Sequence, residues 1–284
     1  MEPISVGLIG AGPWAEDAHA PMLKAGPHTR LAGVWARRPE AAARLGAPVF
    51  ERLDELFEHC EAVAFCVPPG VQAELAVRAA RAGKALLLEK PLADTLDNAV
   101  RLAEVIGETG VPSQMMLTLR YAAPTREFLK QAGAVRPFGG NALVVGGLLR
   151  HGGAYATPWR LQRGVLLDVA PHSLDLMDAA LGTITGVRAR GNTLGWTGLL
   201  LEHEGGALSE MSLTMAAGTW TSRYAVFGAE GSAEFGGYDG DDPLDVIAAE
   251  FAETVRRGGG HPLDAQHGLH LQRIIDDAEK QLLT

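Results

Sequence analysis

The residues whose types and spacing point most directly to chemistry form a glycine turn near the start of the chain, Gly10-Ala11-Gly12-Pro13-Trp14-Ala15. In a dinucleotide-binding turn, the first glycine permits a tight bend and the second lets a pyrophosphate approach the backbone. A small third residue, here Ala15, lets the following helix pack on the preceding strand. Pro13 suits the first turn of a helix, whose N-terminus then faces the phosphates. The turn therefore predicts a dinucleotide site, and a plain glycine turn is the alternative.

The residues after the second predicted strand indicate which dinucleotide to expect. An acid about 20 residues beyond the glycines normally accepts a hydrogen bond from the ribose 2'-hydroxyl of NAD. Here Trp35 is followed by Ala36, Arg37 and Arg38, and no acid stands at this position. Guanidinium groups suit a 2'-phosphate because they form charge-assisted, bidentate hydrogen bonds. The sequence favours NADP, and NAD is the alternative if both arginines only decorate a solvated turn.

Two further motifs place ionisable side chains where a ligand would bind. Glu89-Lys90-Pro91 follows a predicted strand at 85–88, and ligands bind at the carboxyl ends of strands in parallel sheets. Asp168, His172 and Asp175 follow one another at spacings of four and three residues, which predicts one shared helical face. The alternatives are an ordinary surface lysine and a hydrogen-bonded core histidine.

The elements that must position these residues alternate between strand and helix in the first part of the chain. Apolar runs predict strands at 4–9, 31–35, 62–67, 85–88 and 111–117, with helices at 72–82 and 94–109. Strand, helix and strand at this spacing predict right-handed crossovers and a doubly wound parallel sheet. We therefore expect a first, α/β domain at 1–118.

The second part of the chain, 119–284, has strands that follow one another and predicts an α+β domain with a mainly antiparallel open sheet. We expect strands at 141–149, 184–190, 199–204, 207–214 and 223–227. A glycine-rich loop at 151–164 precedes a helix at 168–181. Further helices are expected at 124–134, 244–257 and 266–283.

Composition excludes several classes of function. The formal net charge of -9 and the absence of a basic stripe oppose nucleic-acid binding, which depends on clustered lysine and arginine. The apolar runs are far shorter than the roughly 20 residues of a membrane span, and the start lacks a basic leader, so we expect a cytoplasmic protein. Cys60 and Cys66 flank one short strand and are expected to be free thiols. No metal site is predicted.

In order and spacing, the motifs resemble those of the Gfo/Idh/MocA oxidoreductases, the glucose-fructose oxidoreductase and inositol dehydrogenase group. The resemblance covers nearly the whole chain. It implies an N-terminal Rossmann domain and a C-terminal domain whose open sheet forms the interface of a homodimer or homotetramer. It rests on the glycine turn, Val67-Pro68-Pro69, Glu89-Lys90-Pro91, Trp159-Arg160, the motif from Asp168 to Asp175, and Phe227-Gly228-Ala229-Glu230-Gly231-Ser232.

The resemblance also implies roles for individual residues. Lys90 would bind and polarise the reacting oxygen, His172 would be the general acid/base, and Asp168 would orient the substrate or the imidazole. The chemistry agrees, because an imidazole with a reference pKa of about 6.5 takes up or delivers a proton around neutral pH. A lysine cation stabilises developing alkoxide charge. The family often has a histidine where this chain has Gln72, and glutamine still donates and accepts hydrogen bonds.

The expected function is an NADP-dependent dehydrogenase or reductase acting on a sugar, polyol or related small hydroxy or carbonyl compound. The alternatives are a non-catalytic dinucleotide-binding regulator, and a redox-assisted lyase or epimerase with tightly bound NAD(P). The expected substrate wall is Arg120, Tyr121, Trp159 and Arg160, for which packing at the domain junction is the alternative. The expected cofactor contacts are Gly10, Gly12, Pro13, Trp14, Ala15, Arg37, Arg38, Pro68, Pro69, Glu89 and Lys90.

Overall fold

The computed structural model describes residues 2–150, 157–237 and 243–282 of the chain. The chain divides into two compact units, Met1–Met116 with Leu244–Gln272, and Leu117–Pro243 with Arg273–Thr284. Residues 244–272 thus group with the first unit, whereas the sequence placed them in the second domain. Their backbone explains the grouping, because Met115 N donates to Leu263 O at 2.7 Å and Gln114 Nε2 donates to Ile247 O at 3.3 Å.

The first unit contains a parallel sheet of five strands in the order β2-β1-β3-β4-β5. Strand β1 pairs with β2 on one side and with β3 on the other, so the strand order reverses there. A ligand binds at the carboxyl edge of such a reversal. The strands are β1 Ile4–Ile9, β2 Thr29–Trp35, β3 Ala62–Phe65, β4 Ala85–Leu88 and β5 Ser113–Met115.

The helices of the first unit include the three predicted at 72–82, 94–109 and 244–257, together with several short ones. Helix α5 begins at a Thr95 cap that accepts from Asn98 N and ends at Gly110 in the left-handed region, as expected for a capped amphipathic helix. The helices are α1 Ala20–Ala25, α2 Pro39–Ala43, α3 Leu53–Glu58, α4 Pro69–Arg81, α5 Leu96–Thr109 and, later in the chain, α10 Leu244–Arg257.

The segment after the glycine turn differs from the α-helix that we predicted. Residues Ala15–His19 form a π-helical turn that continues into α1. A π-turn is rare and is often found at functional sites. Here it leaves His19 fully buried.

The second unit contains a six-stranded sheet in the order β11-β10-β6-β9-β8-β7. All its strand pairs are antiparallel except β6 with β9, so the predicted, mainly antiparallel sheet is confirmed. Strand β11 was not predicted. The strands are β6 Pro137–Val145, β7 Ile184–Gly191, β8 Thr197–His203, β9 Leu208–Thr214, β10 Thr221–Gly228 and β11 Gly231–Phe235.

The helices of the second unit differ from the predictions in two places. The predicted loop at 151–164 contains helix α7, Pro158–Arg163, while its residues 151–156 lie outside the described parts of the chain. The predicted helix at 168–181 is two helices, α8 Val165–Asp168 and α9 Ala170–Leu181, separated at Val169. The other helical segments are Thr118–Tyr121 (3-10), α6 Ala123–Val135, Glu204–Gly206 (3-10) and α11 Ala265–Leu282, which runs across the division between the units.

The two faces of the six-stranded sheet differ. Helix α9 packs on one face so closely that a Cβ at Gly140 would lie 3.0 Å from Met177 Cε. On the opposite face, Leu208 and Phe227 pair with Gly139 from its two sides and are 49% and 39% exposed. We call this second face the open face.

The edge strand β7 is capped by one side chain of α11. Gln281 Oε1 accepts from Ala189 N at 2.9 Å, and Gln281 Nε2 donates to Val187 O at 2.9 Å. The amide thus takes the hydrogen bonds that a neighbouring strand would form.

Within the described residues, every helix is too short or too polar to cross a membrane. Both cysteines are free thiols, as predicted. Burial raises the pKa of the Cys60 thiol.

Candidate active site

The glycine turn follows β1 directly, and its first glycine is required by the backbone. Gly10 has a φ of +116°, and a Cβ there would lie 2.1 Å from the carbonyl oxygen of Cys66. Its N–H donates to Trp35 O at 2.9 Å, which ties the turn to the end of β2. Only glycine therefore fits the bend between β1 and the following helix.

The second glycine borders open space. A Cβ at Gly12 would meet no atom within 4 Å, and Gly12 O accepts from Ala15 N at 2.9 Å, which starts the helical turn. Pro13 is exposed, Trp14 is half-buried and Ala15 is fully buried. The turn thus has the free backbone surface and the helix N-terminus that a pyrophosphate needs. These residues fit a dinucleotide.

The two arginines that are expected to favour NADP over NAD lie just beyond β2. Arg37 and Arg38 are both exposed, and Arg38 lies immediately before α2. Because Gly10 is bonded to Trp35, the arginines follow a strand end that adjoins the glycine turn. Their guanidinium groups are accessible to a ligand phosphate.

The residue before Lys90 carries a carboxylate that joins several elements of the first unit. Glu89 Oε1 accepts from Trp14 Nε1 at 2.7 Å and lies 2.8 Å from His19 Nε2. Glu89 Oε2 accepts from the backbone N–H of Lys90 at 3.2 Å. Burial alone would raise the pKa of Glu89, but His19 and the other donors and cations around it hold that pKa below its ordinary value.

Gln72 holds the backbone on either side of Glu89. It is fully buried on α4, for which Pro68 is the N-cap and Pro69 is the first residue. Gln72 Oε1 accepts from Glu89 N at 2.8 Å, and its Nε2 lies 2.8 Å from Glu89 O, 3.1 Å from Leu92 O and 3.2 Å from Pro91 O. The Gln72 amide carries its donor and its acceptor side by side, whereas a histidine carries them on two separate ring nitrogens. Gln72, which stands where a histidine was expected from the resemblance, therefore holds the backbone of the loop after β4.

Lys90 stands at the carboxyl end of β4, as predicted, and is half-buried. The peptide bond between Lys90 and Pro91 is cis. The glycine turn after β1 and Lys90 after β4 lie at the same edge of one parallel sheet.

In the second unit, Asp168 ends α8 rather than beginning the helix of His172. Its carboxylate is buried and accepts from Arg160 Nε at 2.9 Å. The Arg160 guanidinium carbon lies 4.7 Å from the centre of the Trp159 ring, within the range of a cation–π contact. The structure therefore groups three of the predicted residues, Asp168, Arg160 and Trp159.

Helix α8, which ends at Asp168, begins directly after a glycine that the backbone requires. Gly164 has a φ of +70°, and a Cβ there would lie 2.2 Å from Thr193 O. Val165 N donates to the same Thr193 oxygen at 2.9 Å, which anchors the start of α8. Because α8 ends at Asp168 and α9 begins at Ala170, Asp168 and His172 occupy successive helices instead of one continuous face.

His172 lies in the first turn of α9 and is half-buried. Its neighbour Ser173 is buried and shares a 2.9 Å hydrogen bond with the Tyr224 hydroxyl, and burial raises the pKa of Tyr224 to about 12. Tyr224 is thus neutral and fixes the side of α9 opposite to solvent. The imidazole stands in the first turn of a helix that this hydrogen bond ties to β10.

The remaining predicted residues lie beside α9. Arg120 Nη1 donates to the fully buried Asp175 Oδ1 at 2.7 Å and to Asp175 O at 3.2 Å. Tyr121 is also fully buried. Asp175 thus anchors the segment that carries Arg120 against α9.

Sequence reasoning missed the roles of His19 and of the Trp14 indole. His19 stands in the helical segment after the glycine turn, and Glu89 comes 70 residues later. The sequence around His19 therefore does not identify its partner.

Comparisons with known proteins agree with both parts of this architecture. A family model described as "Oxidoreductase family, NAD-binding Rossmann fold" matches residues 4–116, and one described as "GFO/IDH/MocA C-terminal domain" matches residues 140–234. A solved structure, levoglucosan dehydrogenase in complex with NADH and L-sorbose, has a TM-score of 0.85 at 19% identity and covers 100% of this chain and 97% of that one.

Two relatives with sugar-related names are similar in sequence. The dTDP-3,4-didehydro-2,6-dideoxy-alpha-D-glucose 3-reductase of Streptomyces violaceoruber is 30% identical, over 90% of this chain and 86% of the reductase. Galactose 1-dehydrogenase of Pseudomonas fluorescens is 38% identical over 35% of this chain and 33% of that enzyme. In two other relatives the matched part spans 58% and 59% of their length. On the two family models and the reductase alignment, the chain belongs to the Gfo/Idh/MocA oxidoreductase family.

Proposed function

We propose that this protein is a nicotinamide-dependent oxidoreductase, with NADP preferred, that acts on a sugar, polyol or related small hydroxy or carbonyl compound. The observation that carries the proposal is the carboxyl edge of the parallel sheet, where the open turn at Gly12 and the lysine Lys90 follow β1 and β4. The reductase and galactose 1-dehydrogenase relatives, whose names specify sugar compounds, support the substrate class.

The chemistry assigned to the chain is the oxidation of a CH–OH group or its reverse. When bound, the nicotinamide supplies a hydride acceptor or donor. We assign to Lys90 a hydrogen bond to the substrate oxygen, whose developing negative charge the ammonium stabilises. We assign to His172 the removal of the hydroxyl proton in oxidation and its delivery in reduction, so that the C–H and O–H bonds break as the C=O bond forms.

Asp168 has an orienting role in this proposal. Its carboxylate is held by Arg160 on one side, so it is fixed before substrate arrives. We assign the substrate wall to Trp159, Arg160, Arg120 and, through the packing of its buried ring, Tyr121. Their held positions favour a small polar compound with several hydroxyl groups, because aromatic and arginine side chains combine stacking with hydrogen bonding.

The NADP preference rests on the end of β2. Arg37 and Arg38 are exposed there, and the position that accepts from a ribose 2'-hydroxyl in NAD enzymes carries no acid. A 2'-phosphate adds negative charge that a guanidinium binds strongly. We expect a lower dissociation constant for NADPH than for NADH, and tighter NADH binding would contradict this preference.

We also propose a homodimer or homotetramer that forms through the open face. Leu208 and Phe227 expose apolar surface on it. Light scattering coupled to gel filtration measures the assembly, and Phe227→Asp should shift it toward the monomer. A monomeric wild-type protein would contradict this part of the proposal.

One experiment tests the activity most directly. Sugars, inositols and keto-compounds are presented with NADP(H) or NAD(H), and nicotinamide absorbance and product formation are both followed. Net absorbance change with substrate supports the dehydrogenase. Cofactor binding without any product favours a regulator, whereas product without net absorbance change favours a redox-assisted lyase or epimerase.

A further inference from the structure

Glu89 is the meeting point of the glycine turn, the π-helical turn and the loop that carries Lys90. One carboxylate oxygen faces Trp14 Nε1 at 2.7 Å and His19 Nε2 at 2.8 Å, and the other accepts from Lys90 N at 3.2 Å. His19 is fully buried and the Glu89 side chain is 14% exposed. The carboxylate is thus committed to three protein donors at the edge where the dinucleotide is expected.

We propose that Glu89 is a positioning residue that fixes Lys90 relative to the glycine turn, with Trp14 and His19 as its anchors. The inference rests on the proposed function, because it assigns how Lys90 is placed for the reaction. Glu89 itself need not touch substrate or cofactor. Its role is exerted through the backbone of its neighbour.

The backbone of Glu89 is as constrained as its side chain. Gln72 accepts from its N–H at 2.8 Å and donates to its carbonyl oxygen at 2.8 Å. Both peptide groups before Lys90 are therefore held, and the carboxylate holds the Lys90 N–H as well. Such over-determination is how a protein keeps a reacting group within about 0.5 Å of its productive place.

The Trp14 anchor links this placement to the dinucleotide turn. Trp14 lies two residues after Gly12, within the segment expected to carry the pyrophosphate. Charge-assisted hydrogen bonds to a carboxylate are about twice as strong as neutral ones, so the link is stiff. A displacement of about 1 Å in a reacting group costs about 100-fold in rate. Loosening the link should therefore reduce turnover more than cofactor affinity.

The test uses the full-length protein with Glu89→Gln. Glutamine has nearly the same shape, but its amide must point an NH2 group either toward the two anchors or toward the Lys90 N–H. At least one contact is therefore lost. We expect kcat per bound NADPH to fall about tenfold or more, with the Kd for NADPH changed by less than about threefold. A purely structural role would lower Tm and the bound fraction but leave kcat per bound NADPH unchanged.

Trp14→Phe gives a second, milder variant that removes one donor and keeps an aromatic ring. We expect about a threefold lower kcat. Because the indole acts through the same carboxylate, the double variant with Glu89→Gln should be no slower than Glu89→Gln alone by more than about twofold. Fully additive losses would overturn the proposal. If Glu89→Gln does not fold, an unchanged kcat in Trp14→Phe overturns it.

Glu61→Gln is the matched control. Glu61 Oε2 also accepts two hydrogen bonds, from Ser5 N at 2.8 Å and Ser5 Oγ at 2.7 Å, but at the amino edge of the same sheet. It should leave kcat unchanged. The proposal is overturned if Glu89→Gln keeps kcat within about twofold of wild type, or if Glu61→Gln loses as much as Glu89→Gln. A wild-type protein that neither binds NADPH nor turns over would instead refute the proposed function.

Discussion

A single methyl group added at Gly12 should weaken cofactor binding without changing the stability of the fold. A Cβ there meets no atom within 4 Å, and Gly12 lies outside the left-handed region, so Gly12→Ala should change the free energy of unfolding by less than about 0.5 kcal/mol. The methyl group occupies the space in which a pyrophosphate would approach the backbone. Losing one charge-assisted hydrogen bond of about 1.5–3 kcal/mol predicts a Kd for NADPH that is about 10- to 100-fold higher.

Gly10→Ala, in contrast, should lower the stability of the folded protein. Its φ of +116° strains any L-residue by about 1–3 kcal/mol, and its Cβ would lie 2.1 Å from Cys66 O. We expect a loss of at least about 3 kcal/mol. At about 2–4 °C per kcal/mol for a chain of this size, the Tm should fall by about 6–12 °C.

Thermal unfolding without ligand and fluorescence titration with NADPH distinguish these outcomes. Wild type and Gly12→Ala should unfold at the same temperature without ligand. Saturating NADPH at about 100 times its Kd should stabilise wild type by about 2.7 kcal/mol, but Gly12→Ala much less. Wild-type NADPH affinity in Gly12→Ala would refute the assignment of the turn. An unchanged Tm in Gly10→Ala would refute the close approach to Cys66.

Three further predictions concern individual side chains. Lys90→Met and His172→Ala should each lower kcat by about 100-fold or more and leave the Kd for NADPH nearly unchanged, and normal steady-state turnover in both would contradict their roles. Arg37→Ala and Arg38→Ala should raise the Kd for NADPH but not for NADH, and equal effects in titrations of both cofactors would speak against a 2'-phosphate contact. Hydrogen bonds from a serine in β1 lower the pKa of Glu61 below its ordinary 4.5, so its contribution to stability is present above that pH and is lost as the pH falls through the lower folded-state pKa. The Tm of Glu61→Gln should therefore fall less than that of wild type on acidification, and parallel melting curves would contradict this.

The parts of the fold that were predictable are long or strongly patterned. Strands β1 and β4 and helix α10 have the predicted bounds, because each is a clean apolar or amphipathic run between turn residues. The short helices α3 and α7 were missed since each is six residues long, less than two full helical turns. The start of α8 depends on Gly164 and the close approach of Thr193, which is a contact distant in sequence.

In the candidate site too, contacts between residues distant in sequence were not predictable. The positions of Lys90, Asp168 and His172 at the ends of elements were partly predictable, and their catalytic roles stay a proposal. The partner of Asp168 was not predictable, since Arg160 reaches it from another helix. The link between His19 and Glu89 spans 70 residues and exists only because β1 and β4 belong to one sheet.

The Gln281 amide at the edge of β7 has a consequence for how copies of this chain associate. The peptide N–H of Ala189 and the peptide oxygen of Val187 are already bonded, so at these positions β7 has no groups with which to extend the sheet into another molecule. Indefinite strand-by-strand growth, the route to fibrous aggregates, is blocked there by one side chain. The proposed oligomer therefore does not use this edge of β7, and pairing through the open face closes a finite assembly.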